Sequence, residues 1–222
     1  MSKSTLPLLI GMGGLKTSGK DAASDFLVQH RGFVKIGMSA GLHECLMALN
    51  PWVRVTPTDV QNLAAAGIRV PADMLDIHTI WRRYADLERA LGYTDMKIIA
   101  EVRSLQQRMG TEVGRDLIDQ NIWTDMTART VQRLREDGHP VVVTGIRYSN
   151  ELKMIRRLDG RSIWVDRPSV RLAQGQHPTL DTHSSETSLD HHSFDRLLSN
   201  DGTLDCLRER VLDLVEDMGL TA

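Results

Sequence analysis

The chain has 222 residues, 41% of them hydrophobic, which is enough apolar material for a buried core and excludes a disordered polymer. Its 27 Lys and Arg against 29 Asp and Glu leave a formal charge of −2, which excludes nonspecific nucleic-acid binding through bulk electrostatics but allows a local basic cleft. Only Cys45 and Cys206 are present, far apart and outside metal-ligand spacing; with no signal-peptide layout and no apolar run near the ~20 residues that span a membrane, a soluble cytoplasmic protein is expected.

The first strand is predicted over residues 6–10, with Pro7 tolerated near its start. A glycine-rich turn follows, Gly11-Met12-Gly13-Gly14-Leu15-Lys16-Thr17-Ser18-Gly19-Lys20-Asp21, and then a helix on which Ala22, Ala23, Phe26 and Leu27 form two i,i+4 pairs. A second strand is expected over 32–37. From Ala40 to about Thr111 the pattern is mostly helical, with loops at Asn50-Pro51 and near Val70-Pro71; Ile98, Val102, Leu105 and Met109 share a core-facing stripe, while Arg103, Gln107 and Gly110 share another face. A helix over 122–136 stops at Asp137-Gly138-His139-Pro140. The β-branched run Val141-Val142-Val143-Thr144 reads as a strand buried on both faces, with Gly145-Ile146-Arg147 at its C-terminal edge. A helix over 150–158, a strand over 162–165, a polar stretch from Arg167-Pro168 to about Asp190, a short strand at Leu197-Leu198 and a closing helix carrying Leu204, Leu207, Val211, Leu214 and Met218 complete the chain. Alternating strands and helices imply a mainly parallel α/β sheet flanked by helices. Trp52, Trp81, Trp123 and Trp164 are expected as core anchors, with Trp81, beside Arg82-Arg83, the one placed to approach a base.

Strand, glycine-rich turn and helix together make the layout of a P-loop, Gly-x-x-x-x-Gly-Lys, from Gly14 to Lys20. Glycines let successive backbone N–H groups converge on phosphate oxygens, and the following helix points its positive end at the same anion. Lys20 then neutralises the β- and γ-phosphates of a nucleotide. Asp21 stands where Ser or Thr usually holds Mg²⁺. Val141 to Thr144 is followed by Gly145 and not by the Asp that ATPases and GTPases use to organise that ion, which favours a small-molecule kinase. Arg147, Arg167 and Arg171 lie where a loose, negatively charged phosphoryl-transfer transition state needs cations.

On these residues the chain resembles the deoxynucleoside monophosphate kinases of tailed bacteriophages. Gly14 through Asp21 matches that family's P-loop, including its unusual Asp. Arg103-Ser104-Leu105-Gln106-Gln107-Arg108-Met109-Gly110-Thr111 matches its Arg…Leu…Gln…Gly-Thr helix end, and Asn121-Ile122-Trp123 its following helix. Val143 to Arg147 through Glu151 is similar to its strand–Arg–x-x-x-Glu segment. Arg167-Pro168 with Asp181-Thr182-His183-Ser184-Ser185-Glu186 is similar to its lid, and Asn200-Asp201-Gly202 to the turn before its last helix.

The resemblance implies transfer of the ATP γ-phosphoryl group to a deoxynucleoside 5′-monophosphate, with Mg²⁺ as cofactor. It also implies one kinase domain with a core at about 1–37, 112–166 and 194–222, a helical acceptor-binding arm at 38–111 and a lid at 167–193. It assigns Gly14, Lys16, Ser18, Gly19, Lys20, Asp21, Asn200 and Asp201 to ATP, with Asp21 also to the metal and Asn200 and Asp201 near the base. Ser39, His43, Arg103, Gln107, Arg147, Glu151, His183 and Glu186 fall to the acceptor, and Lys20, Arg147, Arg167 and Arg171 to catalysis. His43 stands where many relatives have Lys, and Gly145 where they often have Asp. His177, His183, His191 and His192 lie in the polar stretch, but it lacks the paired cysteines of a zinc-bound lid. A kinase of another phosphorylated acceptor (phosphomevalonate, dephospho-coenzyme A or a modified nucleotide) and a non-catalytic ATP-binding regulator remain alternatives. Neither stable nucleic-acid binding nor membrane association is expected, the location being the host cytoplasm for a phage-encoded chain, and a homodimer is compatible with the family.

Overall fold

Runs of β-branched and aliphatic residues too apolar for a water-facing strand form the centre of a five-stranded parallel sheet. A computed structural model describes residues 6–72, 81–176 and 189–219. The described chain divides into two compact units, one of residues 1–38 with 124–222 and the other of residues 39–123.

In the first unit β1 (Leu9–Gly13) lies between β5 (Val141–Ile146) and β6 (Arg161–Asp166); β2 (Val34–Gly37) adds beyond β5 and β7 (Arg196–Ser199) beyond β6. Every residue of β1 is buried. On one face α1 (Lys20–Arg31) and α9 (Leu204–Asp217) close a core in which Ala23, Leu27, Leu207, Val211 and Val215 meet Ile10, Met12, Val142, Ile163, Val165 and Leu198. The expected α1 stripe is therefore the buried one. α7 (Ser149–Arg157) packs against β1 and β6, its Ile155 occupying the space where a Cβ on Gly11 would stand. α6 (Ile122–Glu136) has the predicted bounds.

Three local features differ from the sequence expectation. β1 runs to Gly13 rather than ending at Ile10, because hydrogen-bonded neighbours on both sides carry the glycines that strand propensity disfavours. The stretch from 168 onward, which the sequence shows only as polar, begins with a helix, α8 (Pro168–Gln176): Pro168 occupies the first helical position, where its fixed φ and missing N–H cost nothing. Between β1 and β5 the register skips Gly145, so that Gly13 faces Ile146; Gly145 takes φ 81°, a left-handed conformation suited to a bulge.

The second unit contains α2 (Ala40–Leu49), α3 (Pro57–Ala65), α4 (Tyr84–Asp95) and α5 (Ala100–Arg108), followed by a wide-turned π segment at Met109–Ile118. It also holds an antiparallel pair the sequence reading missed, β3 (Trp52–Arg54) with β4 (Trp81–Arg83). Three residues are too few to display a period of two. Trp52 and Trp81 lie on this pair 54% and 47% exposed, which corrects their expected role as core anchors; Trp123 and Trp164 are buried as expected. The Arg83 guanidinium stacks 4.2 Å from the Trp52 ring centroid. Val102 of the predicted α5 stripe is fully buried, Ile98, Leu105 and Met109 partly so, and Arg103 and Gln107 face outward.

Candidate active site

Because all five strands are parallel, the loops that follow β1, β5, β6 and β7 leave the sheet at one edge, where ligands bind in open α/β sheets. The loop after β1 is the glycine-rich one. Gly14 has φ 144° and Gly19 φ 95°, both conformations that L side chains rarely adopt. A Cβ on Gly14 would also stand 2.6 Å from Ser18 Oγ and 2.7 Å from the Val165 carbonyl oxygen, so the loop folds back upon itself. Thr17, at φ 62°, is held left-handed without glycine's freedom, and its hydroxyl donates to the Lys16 carbonyl at 2.6 Å. Such local strain costs about 1–3 kcal/mol and is characteristic of ligand-clamping backbone. Gly19 caps α1, whose first turn carries Lys20 and Asp21.

Lys20 is 9% exposed, and its ammonium donates to the Leu15 carbonyl at 3.3 Å, which folds the side chain back over the loop. Lys16 is exposed. Ser18 is buried at 1% exposure, and its Oγ has no hydrogen-bond partner among the described residues. Asp21 is exposed, with Lys35 Nζ 3.9 Å from one carboxylate oxygen. A shallow open cleft is lined by Gly14, Leu15 and Lys16 from this loop, Ile146 at the end of β5 and Arg147 after it, Trp164 of β6 and Leu189. The structure thus brings the loop and Arg147 to one cavity.

Arg147 is exposed, and the turn that carries it is shaped by Glu151. One Glu151 carboxylate oxygen accepts the N–H groups of Arg147 at 2.7 Å and Tyr148 at 3.2 Å, capping α7. Glu151 is 3% exposed, so the residue expected at the acceptor is found supporting the arginine's turn. The Gly145 bulge lies in the same strand end, and a glycine that interrupts a β-branched run is the sequence signal of such a bulge.

Arg167 is exposed at the start of α8, and Arg171 one turn on pairs with Asp166 at 3.6 Å. Asn200 is buried at 8% exposure at the end of β7, where its Nδ2 donates to the Ser18 carbonyl at 2.8 Å and its backbone N–H to the Asp166 carbonyl at 2.7 Å. Asp201 is exposed and accepts from Arg210 at 2.5 Å; that bond holds its carboxyl below the usual carboxylate range. His177, Asp181, His183 and Glu186 lie outside the described residues.

In the second unit, Ser39 precedes α2, with its hydroxyl 3.0 Å from Tyr93 Oη. His43 is half-buried: Nε2 lies 3.1 Å from a Glu88 carboxylate oxygen and Nδ1 3.3 Å from Tyr84 Oη, which also accepts from Gln106 at 2.9 Å. Burial, first of all, raises the Tyr84 phenol above its ordinary value. Arg103 and Gln107 are exposed on α5. Trp123 donates its indole N–H to the Gly110 carbonyl at 2.8 Å. Among the described residues there is no group of three or more His, Cys, Asp or Glu able to hold a metal ion, and no helix long and apolar enough to cross a membrane.

A parallel sheet with a strained glycine loop capping the helix after its first strand, a lysine folded over that loop and an arginine across the same cleft define a P-loop protein of the phosphate-handling α/β class. Residues 84–211, more than half of the chain, match the family of deoxynucleotide monophosphate kinases, and the chain belongs to it. It is 25% identical over 220 residues to a protein of Acanthamoeba polyphaga mimivirus that carries the provisional name deoxynucleotide monophosphate kinase, covering 95% of this chain and 97% of the relative. It is 23% identical over 245 residues to the deoxynucleotide monophosphate kinase of Escherichia phage RB69, covering 91% and 97%. Among solved structures, the dephospho-CoA kinase of Campylobacter jejuni aligns over 96% of this chain and 98% of its own, at 13% identity and a TM-score of 0.44, a likeness too loose to carry an argument.

Proposed function

We infer that the chain transfers the γ-phosphoryl group of ATP to a deoxynucleoside 5′-monophosphate, giving ADP and the deoxynucleoside diphosphate. The observation that carries this reading is the shared cleft: the phosphate-cradling loop and Arg147 line one cavity in a chain of the deoxynucleotide monophosphate kinase family. An oxygen of the acceptor phosphate attacks the γ-phosphorus as the bond from that phosphorus to the β–γ bridging oxygen breaks, and no covalent enzyme intermediate forms.

Lys20 and the N–H groups of the Gly14–Gly19 loop hold the donor phosphates. Arg147 answers charge on the transferring group or the acceptor phosphate, and Arg167 and Arg171 supply further positive charge from α8. Arg171 is a catalytic group only after leaving Asp166, whose carboxylate it now faces. Ser39, His43, Arg103 and Gln107 are the acceptor-side groups that the family resemblance nominates in the second unit, and His183 and Glu186 those that it nominates in the lid.

The residues present fit Mg²⁺. Asp21 offers an exposed hard oxygen in the first turn after the phosphate loop, and Mg²⁺ characteristically takes one or two carboxylates, water and substrate phosphates rather than a full protein cage. When bound, the ion neutralises charge on the β- and γ-oxygens. Lys35 sets the electrostatic context of that carboxylate, since its ammonium lies 3.9 Å from Asp21 and 2.9 Å from Asp25.

The test is ADP formation from ATP and Mg²⁺ with each deoxynucleoside monophosphate in turn, beside ribonucleotides and phosphomevalonate. Turnover with one or more deoxynucleotides is expected. Turnover with the non-nucleotide acceptor alone would refute the substrate class, and binding of ATP without any turnover would refute the reaction.

A further inference from the structure

Asn200 directly follows β7 (Arg196–Ser199), the last strand in chain order, yet its side chain reaches the loop that follows the first. Its amide Nδ2 donates to the Ser18 carbonyl at 2.8 Å, and its own backbone N–H is tied to the Asp166 carbonyl at 2.7 Å, so both ends of the residue are fixed. It is 8% exposed. The fit is tight enough to dictate its neighbour: a Cβ on Gly19 would stand 2.3 Å from Asn200 Nδ2 and 3.4 Å from a Leu207 methyl. Gly19 also has φ 95°, so both the backbone angle and the packing demand glycine there.

The bond has a geometric consequence for the loop. The Ser18–Gly19 peptide is planar, and in a trans peptide C=O and N–H point in opposite directions. Anchoring the Ser18 carbonyl on Asn200 therefore turns the Gly19 N–H away from β7 and fixes it there. A phosphate cradle is made of such oriented N–H groups, and one that rotates freely must be ordered at the expense of affinity. A buried amide already bonded to the protein is poorly placed to read an adenine ring.

We propose that Asn200 is a positioning residue for the donor phosphates, acting through the Ser18–Gly19 peptide and not through the base. The inference rests on the phosphoryl-transfer reading above and names the residue that sets its phosphate cradle. Two substitutions separate shape from hydrogen bonding. Asn200→Ala removes the side chain, whereas Asn200→Asp keeps its size and replaces the donor by an oxygen that repels the Ser18 carbonyl.

Calorimetric binding of tripolyphosphate, ATP and GTP, each with Mg²⁺, to wild type and both variants tests the proposal. A misplacement of this kind is expected to weaken all three ligands by the same factor, about 10- to 100-fold. In steady state the KM for ATP should rise or kcat fall while the KM for the deoxynucleotide holds. If Asn200→Ala fails to fold, as judged by thermal unfolding without ligand, Asn200→Asp carries the comparison. A loss for ATP with tripolyphosphate unchanged would make Asn200 a base contact, and no loss for any ligand would leave it no part in donor binding; either overturns the proposal. Wild-type protein that binds tripolyphosphate but forms no ADP with any deoxynucleotide would sink the phosphotransfer reading alone, with the variant comparison still deciding the role of Asn200.

Discussion

Lys20, proposed above as a ligand of the donor phosphates, is not a solvated surface charge. Lys20 is 9% exposed and bends back to the Leu15 carbonyl, a weak bond at 3.3 Å that an incoming phosphate would replace with a stronger one. Lys20→Ala is expected to lower kcat/KM about 10²- to 10³-fold while unfolding at nearly the same temperature as wild type. Near-normal turnover would remove this loop from the reaction. A second residue-scale expectation concerns Cys206. Its thiol accepts a hydrogen bond from the Thr203 hydroxyl at 3.3 Å in the first turn of α9, and chiefly this bond holds its pKa below the usual thiol value. A lowered pKa means more thiolate at a given pH, so Cys206 alkylation by iodoacetamide should accelerate at lower pH than for an ordinary thiol. Thr203→Val should shift that profile to higher pH; an unchanged profile would show that the hydroxyl is not the cause. The same chemistry was opaque in the sequence, where Thr203 and Cys206 are only two small residues three apart.

At the scale of elements, legibility followed length and burial. The parallel α/β reading was borne out because β5, β6, α6 and α9 are long enough to show their periods. The three-residue strands β3 and β4 are not, and α8 opens on a proline that reads equally as a stop. The glycine and tryptophan quoted for the family resemblance show why a pattern can be legible before its reason is. Trp123 donates to the Gly110 carbonyl, within the segment of wider π turns, and its ring fills the space beside Gly114, where a Cβ would stand 2.4 Å from the indole. The indole N–H thereby ties α6 to the start of the π segment. Gly114→Ala should overpack this joint and cost about 1–3 kcal/mol, measured as a fall in unfolding temperature. No fall would mean that the ring moves aside freely. The candidate site was legible where its residues are consecutive, as from Gly14 to Asp21. It was not legible where a side chain's contact depends on a distant partner, as for Asn200 and Ser18.

Across the whole molecule the two edges of the sheet have different work. The C-terminal edge carries the strained loop and exposed arginines. The N-terminal edge carries Arg135, which is 6% exposed and donates to the carbonyls of Pro7 and Leu158, each at 2.6 Å. One guanidinium thereby joins α6, the approach to β1 and the end of α7. Arg135→Met would leave two inward-facing carbonyls without that partner, at a cost of about 2–3 kcal/mol. Its expected signature is a lower unfolding temperature with kcat unchanged. Loss of kcat in protein that remains folded would show that the two edges are not independent.

The bond between Asn200 and Ser18 spans 182 positions of sequence. On the ribosome, a growing chain displays its entire glycine loop long before the residue that orients it has been made. Ligand competence at that loop therefore waits on a residue made far downstream of the binding motif itself.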